Sequence, residues 1–241
     1  MSNITQANHN IEMLALIANK LEELCDEVTF VGGCIVGLLV TDKAAPDVRF
    51  TIDVDCVINV ITLSDYHKLE KKLRSKGFHQ TISGDHPICR WEYNGIFLDV
   101  MPVDKKVLGF SNRWYGEAMQ YAVSKTIQES LNLRIIAAPY FLATKLEAFK
   151  DRGNNDFIAS HDLEDIIAVL DGRSEITAEI LQATKELRRY LATEFLSLIG
   201  NERFINALPG HLNYSSEVPG RNTVVIERIK AIIDLGKSDG Y

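Results

Sequence analysis

Residues 30–60 read FVGGCIVGLLVTDKAAPDVRFTIDVDCVINV, and the second half of that stretch is an apolar strand carrying two acids. It opens on an apolar run into the pair Gly32-Gly33, passes a short apolar segment and a polar loop, and closes on Arg49-Phe50-Thr51-Ile52-Asp53-Val54-Asp55. Ile52, Val54, Val57, Ile58, Val60 and Ile61 are apolar and β-branched, which predicts a buried strand. Alternate residues of a strand share a face, so Asp53 and Asp55 project side by side. Two like charges at the mouth of an apolar strand repel, and desolvating them is costly unless a cation lies between them. Mg²⁺ suits such a place, because it takes hard carboxylate oxygens and leaves room for phosphates. Alone, D-x-D is a weak signal, and a strand-end cap beside a solvated acid would explain it equally well.

The surroundings strengthen it. Gly32-Gly33 lies between a strand-like run and a short helix, where backbone N–H groups can face phosphate oxygens. A third acid, Asp99, sits in a later apolar run, Gly95-Ile96-Phe97-Leu98-Asp99-Val100-Met101-Pro102. Asn94-Gly95, between Tyr93 and Ile96, predicts a hairpin, so the strand of Asp99 runs antiparallel to the strand of Arg90. If the Asp99 strand neighbours that of Asp53 and Asp55, three carboxylates meet. Asp104 is the alternative third acid, and a strand-end cap is the alternative role for Asp99.

Gly32-Gly33, Arg49-x-Thr51-x-Asp53-x-Asp55 and Asp99 together resemble the nucleotidyltransferase superfamily of DNA polymerase β. Within it, the chain is most similar to the AbiEii/MenT-type nucleotidyltransferase toxins of bacterial type IV toxin–antitoxin systems. The glycine pair stands where many members have Gly-Ser. A later segment, APYFLATKLEAFKDRGNNDFIASHDLEDIIAVL, resembles the second half of the same toxins at Lys145, Arg152 and Asp162. The resemblance implies an α/β (α+β) fold, a mixed sheet flanked by helices with a helical C-terminal half. It implies two Mg²⁺ ions, with Mn²⁺ as a substitute, held by Asp53, Asp55 and Asp99. Catalysis would fall to those three acids and Lys145, and nucleotide binding to Gly32, Gly33, Arg49, Thr51, Lys145, Arg152 and Asp162. The implied reaction moves a nucleoside monophosphate from an NTP to a hydroxyl acceptor with release of pyrophosphate. By resemblance the acceptor is the tRNA 3′ end and the partner a cognate antitoxin. A small hydroxyl compound such as an antibiotic is the competing acceptor, and a nucleotide-binding relative without turnover is the non-enzymatic alternative.

Composition bounds these expectations. The chain has 241 residues, 46% hydrophobic and 24% charged, ordinary values for a globular protein. No apolar stretch approaches the roughly 20 residues of a membrane span, so no membrane partner is expected. The opening MSNITQANHN lacks the basic and apolar regions of a secretory signal. Cys25, Cys34, Cys56 and Cys89 are scattered, which reads as buried free thiols in a reducing cytoplasm. A formal net charge of −7 argues against broad, sequence-independent nucleic-acid binding.

Organisation follows from periodicity. Beyond Ile136 the period turns helical, which divides the chain into a domain over 1–136, the catalytic one by the resemblance, and a helical domain over 137–241. Helices are expected at 11–24, 35–40, 66–76, 140–150, 176–199, 202–208 and 224–235. Strands are expected at 28–31, 78–82, 88–93, 118–123 and 127–136, with a turn at 83–87 and loops at 41–48 and 209–221. The basic run Lys68, Lys71, Lys72, Arg74 and Lys76 reads as a solvated helix face. Arg113, Trp114 and Tyr115 are candidates either to stack a base or to pack the sheet edge. Asp162, close behind Ser160, could also cap a helix, and Asp165 is placed to pair with Arg152 or Lys145.

Overall fold

The computed structural model describes residues 5–80, 87–128, 131–212 and 220–238. They fall into two units, Met1–Gly37 with Arg49–Ala137 and Leu38–Val48 with Ala138–Tyr241.

In the first unit the apolar spacing after Ile11 becomes helix α1 (Gln6–Leu21), whose Thr5 hydroxyl caps the backbone N–H of Asn8. Met13, Leu14, Ile17 and Leu21 bury its inner stripe. A 3₁₀ turn leads into β1 (Val28–Val31), and the glycine pair then turns the chain into α2 (Val36–Leu39). The D-x-D segment is β2 (Asp53–Ile58). Helix α3 (Leu63–Ser75) starts three residues before the expected Tyr66, because the Thr62 hydroxyl caps the N–H of Asp65. It ends at Gly77, whose φ of +84° a side chain would resist. Its basic face is solvated except for Lys76, which is buried against Glu22 at 3.0 Å and Glu23 at 2.7 Å.

Strand β3 (His79–Gln80) is the described part of the strand expected at 78–82; residues 81–86, including most of the expected turn, lie outside the described residues. Strands β4 (Arg90–Tyr93) and β5 (Ile96–Pro102) form the expected hairpin, with Asn94 and Gly95 at φ +52° and +78°. Asp104 caps α4 (Lys105–Leu108) by accepting from the N–H of Lys106, so it is a helix cap and stands off the ladder. Residues 118–120, expected to open a strand, instead finish helix α5 (Tyr115–Gln120). The period there is helical: Ala118 and Met119 are buried while Gln120 and Tyr121 are exposed. Trp114 is 1% exposed beneath the Arg113 guanidinium, so it packs the core and offers no face to a base. Strands β6 (Val123–Ile127) and β7 (Leu131–Ile135) complete a seven-stranded mixed sheet of order β3-β4-β5-β2-β1-β7-β6. Strand β2 lies in its middle, antiparallel to β1 and parallel to β5. This is the expected α/β fold.

The second unit is helical. Its helices are α6 (Ala138–Arg152), α7 (His161–Gly172), α8 (Ile176–Gln182), α9 (Lys185–Ile199), α10 (Glu202–His211) and α11 (Arg221–Ser238). The stripe over 176–199 is two helices, because Thr184 caps Leu187 and restarts the ladder. Helix α10 runs through Pro209, where a loop was expected, and residues 213–219 of that loop lie outside the described residues. The segment Leu38–Val48 is stitched into this unit. The N–H groups of Thr41 and Asp42 both donate to the Gly172 carbonyl, at 2.8 and 2.9 Å. Arg221 bonds Asp171, Asp42 and the Ala44 carbonyl.

Among the described residues no helix is long and apolar enough to cross a membrane.

Candidate functional site

Ladder register does most of the assembly in the first unit. Asp55 pairs with Val31 on β1 and with Asp99 on β5, and Asp99 pairs with Arg90 on β4. Residues paired across a sheet share a face, so Asp55, Asp99 and Arg90 stand in one row. Asp53, two residues before Asp55 on the same strand, joins that face. Gly32 directly follows Val31, with φ +75°, and a side chain there would run into the Asp55 carboxylate. The glycine turn thus lies against the acidic row, and only glycine leaves the space that Asp55 fills.

Arg90 is the residue that sequence reasoning missed. Its Nε and Nη2 donate to the two oxygens of Asp99 at 2.8 and 2.7 Å, and Nη2 also donates to Asp53 Oδ2 at 3.0 Å. The guanidinium lies 4.9 Å from the centre of the Phe97 ring. The bonded Asp99 carboxylate, helped by the charges of Asp53 and Asp55, holds the Arg90 proton more firmly than usual, against the cost of burial. The signal for Arg90 was available: counted outward from Tyr93 and Ile96 at the turn, the hairpin pairs Arg90 with Asp99.

Asn10 is a second missed residue. Buried on α1 at 1% exposure, its amide donates to the Arg49 carbonyl at 2.9 Å and accepts from the Thr51 N–H at 3.2 Å. Thr51 passes this on, its hydroxyl donating to Asp53 Oδ1 at 2.7 Å. Thr51 is therefore a buried support for Asp53. Arg49 is half-buried, and its guanidinium makes a long bond, 3.4 Å, to the neighbouring Phe50 carbonyl. Gly33 is buried at the start of the 3₁₀ turn.

The opposite face of β2 is apolar. Cys56 is fully buried there, and burial, followed by the charge of Asp55, pushes its thiol well above the usual range. Burial and then Asp99 lift Cys89 to about 12. All four cysteines are buried free thiols.

Lys145, Arg152 and Asp162 lie in the second unit and form a cluster of their own. The Lys145 ammonium sits 3.0 Å from Asp162 and 2.7 Å from Asp165. Arg152 grips Asp162 with two bonds of 2.9 Å. Burial disfavours the Lys145 charge, but Asp165 and Asp162 outweigh it and its pKa rises. Asp162 shows the mirror case: burial opposes its charge, yet Lys145 and Arg152 bring its pKa down. Ser160 caps the helix, so Asp162 is spared for the ion pairs.

As a place for a divalent ion, the acidic row fits in donor type and in facing: three hard carboxylates on one face, beside a glycine turn. The pre-set convergence of a metal centre is another matter. Among the described residues no three His, Cys, Asp or Glu side chains are arranged to hold an ion, and Arg90 is bonded to two of the three acids.

No family model matches the chain, and no curated protein matches it. Among solved structures it is similar to a "putative nucleotidyltransferase" from H. pylori, with TM-score 0.50 at 13% identity, over 99% of this chain and 97% of that one. It is also similar to JHP933 from Helicobacter pylori, with TM-score 0.49 at 14% identity, over 97% of this chain and 93% of that one. The first likeness spans both chains almost end to end, and what it shows is architecture: this chain has a nucleotidyltransferase-like fold.

Proposed function

We propose that the chain is a divalent-cation-dependent nucleotidyltransferase, which moves a nucleoside monophosphate from an NTP to a hydroxyl acceptor. The observation that carries this is the Asp55 carboxylate lying against Gly32 with Asp99 as its register partner. An acidic row beside backbone N–H groups suits a cation-bound triphosphate better than it suits fold stability. Asp53, Asp55 and Asp99 would hold Mg²⁺, or Mn²⁺ in its place. When bound there, the ions supply charge neutralisation on the phosphates and lower the pKa of the acceptor hydroxyl.

The remaining work falls to the chain. The backbone N–H groups around Gly32 and Gly33 would face the β- and γ-phosphates beside the Asp55 carboxylate, which fills the space at Gly32. Asn10, through Thr51, fixes the rotamer of Asp53. The acceptor oxygen attacks the α-phosphorus in line, its bond forms as the α–β bridging P–O bond breaks, and pyrophosphate leaves. Asp99 takes the hydroxyl proton. The resemblance alone assigns phosphate contacts to Arg49, Lys145, Arg152 and Asp162.

The AbiEii/MenT resemblance favours the tRNA 3′ end as acceptor, with a cognate antitoxin as partner. The acidic net charge of −7 favours a small hydroxyl acceptor instead. Incubation with each α-labelled NTP and total RNA, then with small hydroxyl compounds, separates the two by which species takes the label. Asp55→Asn should lower pyrophosphate release by at least ~10²-fold with the fold intact. Wild-type release by Asp55→Asn across all donors and acceptors would sink the assignment.

A further inference from the structure

Arg90 lies in the midst of the acids that the proposed function assigns to a cation. Three of its contacts are built: a fork onto Asp99, a bond to Asp53 and the face of Phe97. The side chains are largely withdrawn from water, with 15% exposure for Arg90, 10% for Asp99 and 27% for Asp53. A guanidinium in such a fork stays charged at any working pH, so no proton loss can clear it away. Both oxygens of Asp99 and one of Asp53 point at it. A divalent ion bound between these two acids needs the same inward lone pairs and meets a like charge as well.

We propose that Arg90 is an internal counter-cation, holding Asp53 and Asp99 in register in the resting protein and setting the divalent-ion concentration at which they are released to a metal. The inference rests on the reading that Asp53, Asp55 and Asp99 take a divalent ion. It adds a positioning role for a residue that the family resemblance did not mark. Arg90 steadies two acids that would otherwise repel, and it delays the ion that finally satisfies them. A purely structural clamp would do the first without the second.

The test is a Mn²⁺ titration of the full chain, followed by electron paramagnetic resonance, on wild type, Arg90→Gln, Arg90→Lys and Asp55→Asn. Arg90→Gln should bind Mn²⁺ roughly 10-fold more tightly than wild type, since one unit of positive charge leaves a partly buried site. Arg90→Lys should fall between them, keeping the charge but losing the fork. In wild type the Arg90 Nε–H resonance should shift on saturation with Mg²⁺. Equal or weaker Mn²⁺ binding by folded Arg90→Gln, or a resonance that Mg²⁺ leaves in place, overturns the proposal. If Arg90→Gln does not fold, Arg90→Lys and the wild-type resonance decide it. Wild-type binding that Asp55→Asn abolishes but Arg90 variants leave unchanged would defeat this inference alone. If no variant binds Mn²⁺ above the level of Asp55→Asn, the cation reading falls with it.

Discussion

The molecule carries two clusters of opposed charges, and they are built differently. In the sheet unit, Asp53, Asp55 and Asp99 stand with Arg90, three negative charges and one positive, a formal sum of −2 over the four side chains. In the helical unit, Lys145 and Arg152 stand with Asp162 and Asp165, a sum of zero. The balanced cluster has the deeper centre: Lys145, Asp162 and Asp165 are 9%, 7% and 1% exposed, with Arg152 closing it from the surface at 69%, against 15% for Arg90, 10% for Asp99 and 27% for Asp53. Burying ions is costly unless each finds its complement, so depth and balance go together. The sheet cluster is shallower and unequal, which suits a place where charge comes and goes. The helical one ties α6 to α7.

Three measurements could break that contrast, taken from the largest effect down. Lys145→Met leaves Asp162 and Asp165 buried with half their compensation, and should cost about 3–5 kcal/mol in urea unfolding. A loss below ~1 kcal/mol would mean that the helical cluster is not a structural tie. Gly32→Ala forces a side chain onto the Asp55 carboxylate at positive φ, and should cost about 1–3 kcal/mol. It should also depress nucleotide transfer more than Lys145→Met does at a temperature where both are folded; the reverse order would move the functional weight to the helical unit.

The smallest effect is in pH. The Asp162 pKa is lowered by folding, so its stabilisation is present above the unfolded value of about 3.9 and fades as pH falls through the folded value. The Lys145 pKa is raised, so its share is present below about 10.4 and fades as pH climbs through the folded value. Urea midpoints should therefore be flat in this contribution from about pH 5 to pH 10, falling on both sides, and Lys145→Met should flatten the alkaline fall. An unchanged alkaline limb in that variant would count against the pairing.

What the sequence disclosed tracks how local each signal is. The strand of Asp53 and Asp55 and the Asn94-Gly95 hairpin were legible because a period of two and a positive-φ turn are written in adjacent residues. The neighbourhood of β2 and β5 was an expectation that only tertiary pairing could decide. Arg90 was hidden for a different reason. It meets Asp99 only at the fourth pair out from the Asn94-Gly95 turn, so its place shows only when the hairpin register is carried that far. Asn10 carried no signal at all, since a buried amide on a helix is recognisable only by what it bonds, here the backbone of Arg49 and Thr51. Helix α5 was not legible, because the strand expected at 118–123 covers so few residues that either period fits.

The course of residues 38–48 has a consequence for how this protein can be made. The chain leaves the sheet unit after Gly37, gives eleven residues to the helical unit and returns at Arg49. Those residues are held by Gly172, Arg173 and Arg221, the last of them 173 positions beyond Val48. On the ribosome, the strands of the first unit can emerge by residue 137, but the loop must wait for Gly172 and Arg173, and then for Arg221, before its bonds are complete. Any attempt to express the halves separately by cutting at a single point would orphan that loop from its binding partners.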